Sequence, residues 1–183
     1  VKWPDYAALV ARCTQQLRVL ETTIPFDAIT SFRDLCQQVA QVRQRPLEVL
    51  SIDLPVQMDG LWVATARTDY LIFASNAERV AQEHAICHEL AHILLAHGPL
   101  IEDLALLLRG IDIPTAQRQV MAMRSDRMST YQEQEAECFA LLLAERLPFE
   151  AWGSMDMTPL PSVGPAERGL MERYLAALFP SSS

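Results

Sequence analysis

The segment His88-Glu89-Leu90-Ala91-His92 constrains this chain more than any other stretch. On an α-helix, positions i and i+4 project from one face, so the two imidazoles can each give a ring nitrogen to one Zn²⁺ ion. Glu89 lies about 100° further round the helix, near the coordination position left for water. Zinc lowers the pKa of a bound water to about 7, and an adjacent carboxylate can take that proton and later deliver it to a leaving amine. With His88 as the zero of a helical wheel, His92 falls at about 40° and His84 at about −40°, whereas Ile86, Leu90 and Ile93 gather between about 140° and about 200°. Cys87, Ala91 and Leu94 widen that apolar arc, so the helix is expected to be central, with its site in a cleft. Ser75-Asn76 reads as its cap, and Gly98-Pro99 after His97 as its stop.

The rest of the chain supplies the packing for such a helix. Tyr6, Leu9, Val10, Cys13, Leu17 and Leu20 recur at intervals of three and four, as do Phe32, Leu35, Val39 and Val42, and Pro46 ends the second run. Two amphipathic helices are expected there. From Leu47 to Ala74 the pattern changes to three short β-prone runs, Leu47 to Leu54, Leu61 to Ala66 and Tyr70 to Phe73, with Met58-Asp59-Gly60 as a turn. A helix then follows from Ser129 or Thr130 through Leu147, stopped by Pro148, and a last short one covers Glu167 to Phe179. Between Leu100 and Ser129, an apolar patch at Leu104 to Leu108 precedes a polar stretch with Arg118, Arg124 and Arg127. This segment reads either as a lid or partner-binding insertion or as a plain helical connection.

The expected fold class is α+β: one mostly helical domain with a small, mainly antiparallel three-stranded sheet packed on the central helix. It divides into N-terminal helices (1–46), a core (47–148) and a C-terminal extension (149–183), all within one domain (1–183). A chain of 183 residues, half of them hydrophobic, is long enough to bury such a core. No apolar run approaches the ~20 residues of a membrane span, and the first residues carry no signal-peptide pattern. Cys13, Cys36, Cys87 and Cys138 lack the spacing of a zinc knuckle and read as reduced, mostly buried thiols. The expectation is therefore a cytoplasmic protein without a membrane partner. A formal charge of −8 opposes phosphate backbones, so direct nucleic-acid binding is not expected.

Catalytic zinc usually takes three protein ligands plus water. A third histidine at position 98 would need a glycine at 95, and the chain has Leu95 and Gly98 there. His84 lies about 12 Å along the helix axis from His92, too far to share one ion with it. The better source is the helix Tyr131 to Ala140, whose core face is marked by Ala136, Phe139, Ala140, Leu143 and Leu147. Glu133 lies at the inner edge of that face, about 60° away, and Glu135 about 100° away. Glu133 is the better placed third ligand, with Glu135 the chief alternative. Ala136, Ala140 and Ala144 would let the two helices approach closely, and Glu137 could accept a hydrogen bond from a ligand histidine. His97 suits the helix C-terminus, where a cation is favoured.

These residues resemble the ImmA/IrrE-type zinc metallopeptidases, a gluzincin-like family. The resemblance rests on His88 to His92, on Glu133-x-x-Ala136-x-x-Phe139-Ala140, and on the order of helices, small sheet, active-site helix and glutamate helix. Glu137 stands where that family usually has Asn or Asp. The resemblance implies that His88, His92 and Glu133 bind Zn²⁺ and that Glu89 is the catalytic base. It also implies a cytoplasmic enzyme that cuts or otherwise relieves a partner repressor, often one with a helix-turn-helix. A zinc peptidase benefits from a donor aimed at the tetrahedral intermediate, and Tyr131, Tyr70, Arg67, Arg124 and Arg127 are the candidates. Two other classes stand beside the peptidase: a zinc-containing regulatory module that relieves a repressor by docking without cleavage, and a metal-free helical interaction protein.

Overall fold

The computed structural model describes residues 6–55, 58–99, 101, 112–127, 131–148, 151 and 164–180, without the side chains of 124–127. Among the described residues the order is α1 (Tyr6–Leu20), α2 (Phe32–Arg43), β1 (Leu47–Ile52), β2 (Gly60–Ala64), β3 (Asp69–Ala74), α3 (Arg79–Leu94), α4 (Ile113–Arg127), α5 (Tyr131–Arg146) and α6 (Pro165–Leu178). A short 3₁₀ turn at Phe26–Ala28 links α1 to α2. Ser31 starts α2 by accepting from the Asp34 amide at 3.1 Å, while Asp34 accepts from the Thr30 hydroxyl, so the orphan amides of the first turn are met locally. The helix closes on Gln44 in the left-handed region, φ 52°, with the Arg45 amide returning to Ala40 O. No helix of the described residues is long and apolar enough to cross a membrane.

The fold is α+β with a three-stranded sheet, but the sheet is mixed rather than mainly antiparallel. Its order is β1-β3-β2: β2 pairs antiparallel with β3 in the register Leu61↔Ile72, and β1 pairs parallel with β3 in the register Leu50↔Ile72. The Met58-Asp59-Gly60 stretch does not join neighbouring strands. It belongs to a connection long enough to pass the end of β3, which fills the gap between β1 and β2 and ties both neighbours at its exit through Ala74 N to Asp59 O and Ser75 N to Ile52 O. The tight hairpin lies instead at Thr65 to Thr68, where the Thr65 hydroxyl accepts from the Thr68 amide at 2.9 Å.

Both faces of the sheet are covered. Leu47, Trp62, Leu71 and Phe73 point into a core shared with α1, α2, α3 and α5. Leu50, Leu61, Val63, Tyr70, Ile72 and Ala74 point into a second core closed by Ala116 and Val120 of α4 and by Met171, Leu175 and Leu178 of α6. β3 is therefore buried along its whole length, which explains its unbroken apolar run. Thr68 donates to Glu167 and Arg168 ion-pairs with the buried Glu48, so the C-terminal helix is anchored to both strand ends. At the start of β3, the buried Asp69 is met by Arg43, Arg45 and the Trp62 indole at 3.0 to 3.1 Å. The charge is thereby satisfied where the sheet meets α2.

All four cysteines are buried and free. Burial pushes the Cys36 and Cys87 thiols up to about 12, so both remain neutral core groups.

Gly60 sets how closely β2 lies on α3. A Cβ at this position would meet Ala85 Cβ at 3.2 Å, Ile72 O at 3.2 Å and Glu89 Cγ at 3.3 Å. Two of these neighbours are fixed by backbone, so Gly60→Ala is expected to lower stability by about 1–3 kcal/mol, the usual cost of overpacking. Chemical denaturation measures it; an unchanged midpoint would mean that β2 can lift off α3 freely.

Candidate metal centre

α3 begins three residues later than its sequence cap. Its N-cap is Glu78, with no side-chain capping bond, whereas the Asn76 amide donates to Leu54 O and Gln82 reaches back to Ala74 O. Ser75 and Asn76 thus close the strand layer and leave the helix to start on the next turn. Ile86, Cys87, Leu90, Ala91 and Ile93 are buried as the wheel requires. The helix also stops earlier than Gly98. Ala96 adopts the left-handed conformation, φ 55°, with His97 N donating to His92 O at 2.9 Å and Ala96 N to Ile93 O at 3.2 Å. This is a Schellman closure without glycine, and it turns His97 back along the helix.

α5 lies along α3 with Ala136, Phe139 and Ala140 fully buried between them. Three side chains then converge. His88 Nε2 is 3.1 Å from His92 Nε2 and 3.2 Å from Glu133 Oε2, and His92 Nε2 is 3.5 Å from Glu133 Oε1. Tetrahedral zinc with ligands at 2.0–2.1 Å holds them about 3.4 Å apart, so these spacings fit one ion. The donor set of two imidazole nitrogens and one carboxylate oxygen suits a first-row transition ion better than calcium or magnesium, which favour all-oxygen ligands. His88 and Glu133 are each 21 % exposed and His92 only 6 %, so the group opens to solvent on one side.

The flanking groups are also paired. His88 Nδ1 faces Glu137 Oε2 at 3.3 Å, and Glu137 Oε1 lies 3.2 Å from His84 Nε2 at the exposed end of the row. His92 Nδ1 faces His97 Nδ1 at 3.0 Å, His97 Nε2 faces Glu135 Oε2 at 3.3 Å, and Glu135 Oε1 meets Arg12 of α1 at 3.0 Å. Glu135, the alternative third ligand, is therefore directed at His97 and α1. His97 does not serve the helix terminus in the expected way; it is 7 % exposed and its ring belongs to the row. The roles of His97 and Glu135 were not read from the sequence. The spacing that could have indicated them is His92 to His97, the five-residue return of a Schellman turn.

The electrostatics favour a cation. Burial opposes a charge on His88, but the Glu133 hydrogen bond and the charges of Glu89, Glu133 and Glu137 outweigh it and hold the imidazole above its usual range. Burial likewise opposes ionised Glu133, yet the hydrogen bonds and charges of His88 and His92 hold its carboxyl far below the usual range. Burial, then the neighbouring His92, push His97 down. Glu89 is buried, its Cγ against the start of β2.

Of the candidate oxyanion donors, Tyr70 lies in the core on the far face of the sheet, and Arg67 is exposed in the hairpin turn. The Tyr131 ring is held 4.6 Å under Arg12. The side chains of Arg124 and Arg127, the Leu104 to Leu108 patch and the Ser129 or Thr130 cap lie outside the described residues. Comparison with protein-family models, curated proteins and solved structures finds no match for this chain.

Without metal, the His88 and Glu133 pair contributes to stability over a bounded pH range. Glu133 is lowered from 4.5, so its share is present above pH 4.5 and lost as pH falls toward its folded value; His88 is raised from 6.5, so its share is present below 6.5 and lost as pH rises through its folded value. Zinc needs deprotonated imidazoles and gains where that pair fades. The rise in Tm on adding zinc to chelator-treated protein is expected to be small at about pH 5 and to grow toward about pH 8. A rise independent of pH argues against ligation by histidine.

Ala96→Gly is expected to add about 0.5–1 kcal/mol, because an L-residue with a Cβ is disfavoured at positive φ. Denaturant unfolding checks the sign, and a loss of stability would show that Ala96 packs more than it strains.

Proposed function

We propose that this chain is a zinc-dependent metallo-endopeptidase. The observation that carries the reading is the convergence of His88, His92 and Glu133 at spacings suited to one tetrahedral ion, with Glu89 buried on the next position of the same helix. Zinc, when bound, would supply Lewis acidity and a water acidic enough to be a nucleophile near neutral pH. Glu89 takes the proton from the attacking water and delivers it to the departing amine, so the scissile C–N bond breaks with its nitrogen protonated. Glu133 and the two imidazoles would hold the ion, with the Glu137 carboxylate 3.3 Å from His88 Nδ1 as a neighbouring charge. The resemblance to the ImmA/IrrE-type peptidases supports a partner transcriptional repressor, of the kind that carries a helix-turn-helix, as the protein substrate. Four buried thiols support a reducing, cytoplasmic setting.

A second reading keeps the zinc but relieves a repressor by docking alone. It is favoured by the placement of Tyr70 behind the sheet and of Tyr131 under Arg12, which leaves no oxyanion donor assigned among the described residues.

Purified protein is expected to hold one zinc per chain by elemental analysis. Glu89→Gln should keep that zinc and cut a candidate repressor at least about 100-fold more slowly, the usual range for losing a general base. Equal cleavage by both proteins overturns the mechanism. Loss of cleavage with repression still relieved selects the docking reading.

A further inference from the structure

The two histidines are flanked in different ways. His88 Nδ1 lies 3.3 Å from the half-exposed Glu137 carboxylate without a hydrogen bond. His92 Nδ1 meets another imidazole, His97, in the interior. Resting on the metal reading above, we propose that His97, held by Glu135 and Arg12, is a positioning residue that fixes the tautomer of His92 and so leaves its Nε2 free for the ion.

The proton assignment is that of the metal-bound site, in which His92 Nε2 would give its lone pair to the ion in place of its contact with Glu133. Arg12 ion-pairs with Glu135 Oε1 at 3.0 Å, and its guanidinium lies over the Tyr131 ring. Glu135, ion-paired with it, can only accept, so His97 Nε2, at 3.3 Å from Glu135 Oε2, carries the ring proton. In the neutral ring, His97 Nδ1 is then a lone pair. The nitrogen 3.0 Å away, His92 Nδ1, must donate to it. With its one proton on Nδ1, His92 presents a lone pair at Nε2, the atom that faces His88 Nε2 and Glu133. The outcome at the metal face is therefore set from α1, through one ion pair and two hydrogen bonds. The reverse tautomer would place an N–H among the ligand atoms and leave two lone pairs facing each other between His92 and His97, a buried contact with no donor.

The backbone supports the same assignment. The Schellman turn at Ala96 returns His97 to His92 O through its own amide, so its ring and main chain both bond to the ligand residue. Cys13, next to Arg12, donates its thiol to Glu135 O at 3.7 Å, and so α1 fixes α5 at this turn. Fixed tautomers of ligand histidines commonly carry 10- to 100-fold in metal affinity, or about that loss when removed.

The test measures zinc dissociation constants by chelator competition for the full chain. His97→Leu is expected to weaken zinc about 10- to 100-fold, and His97→Asn, which keeps an acceptor oxygen near the place of Nδ1, to recover most of it. A wild-type chain that takes up no zinc overturns both this inference and the metal reading. Wild-type zinc binding that His97→Leu leaves unchanged overturns this inference alone, as does equal weakening by His97→Leu and His97→Asn. Long-range ¹H–¹⁵N NMR of the zinc-loaded wild type needs no variant to fold: His97 is expected to be protonated at Nε2 and bare at Nδ1, and a proton found at His97 Nδ1 overturns the proposal.

Discussion

Close contact between α3 and α5 is the constraint on which the rest of the site depends. Glu133 reaches two imidazoles at 3.2 and 3.5 Å because its helix packs against α3, with the small Ala136 and Ala140 of α5 and Ala91 of α3 fully buried in the same core. Metal–ligand bonds tolerate about 0.2 Å of error, whereas one extra methylene at a buried helix crossing forces shifts of the packed neighbours. The small side chains are therefore as much a part of the candidate centre as the donors. Phe139, fully buried in the same core, adds the bulk that alanines lack.

The sheet fixes the other side of α3. Because β3 occupies the middle and is covered on both faces, the sheet is a rigid slab with α3 on one face and α4 and α6 on the other. Gly60 brings the edge strand β2 down onto Ala85 and Glu89, on either side of the ligand His88 along the helix. Glu89 is thus confined between a strand and its own helix. Such confinement is what the proton-transfer role proposed for it would need, since its reach is set by backbone elements.

Local pattern made much of this legible. The three-and-four recurrence in α1, α2 and α3 gave those helices their buried faces, and the wheel of α5 favoured Glu133 over its neighbours. What the wheel missed has a physical cause: α5 packs against α1 as well as α3, so a face centred on Ala136 and Phe139 underestimates its buried width, and Glu135 lies under α1. Strand order was equally beyond local pattern, because alternation of side chains is the same for parallel and antiparallel partners. The Schellman closure was hidden because Ala96 occupies the left-handed position that sequence reasoning reserves for glycine, here Gly98.

The four histidines of this chain form one row with a gradient along it. Successive ring centroids are 6.2, 4.8 and 5.1 Å apart from His84 through His88 and His92 to His97. Exposure falls along the same direction, from the half-exposed His84 to the buried His97, and the carboxylates at the two ends follow it, Glu137 half exposed and Glu135 nearly buried. Solvent and any substrate therefore reach the cluster past His88 and Glu133, while His92 is closed off. An asymmetric centre of this kind separates two demands that conflict in a single environment: the buried end keeps donor atoms fixed, because its hydrogen bonds have no competing water. The open end leaves the candidate metal site accessible to solvent, as the proposed chemistry would need. In an acidic chain, Glu89, Glu133, Glu135 and Glu137 gather around that row, and Arg12 is ion-paired to Glu135. Among the described residues this makes a negative pocket, and a divalent cation is the group that balances it.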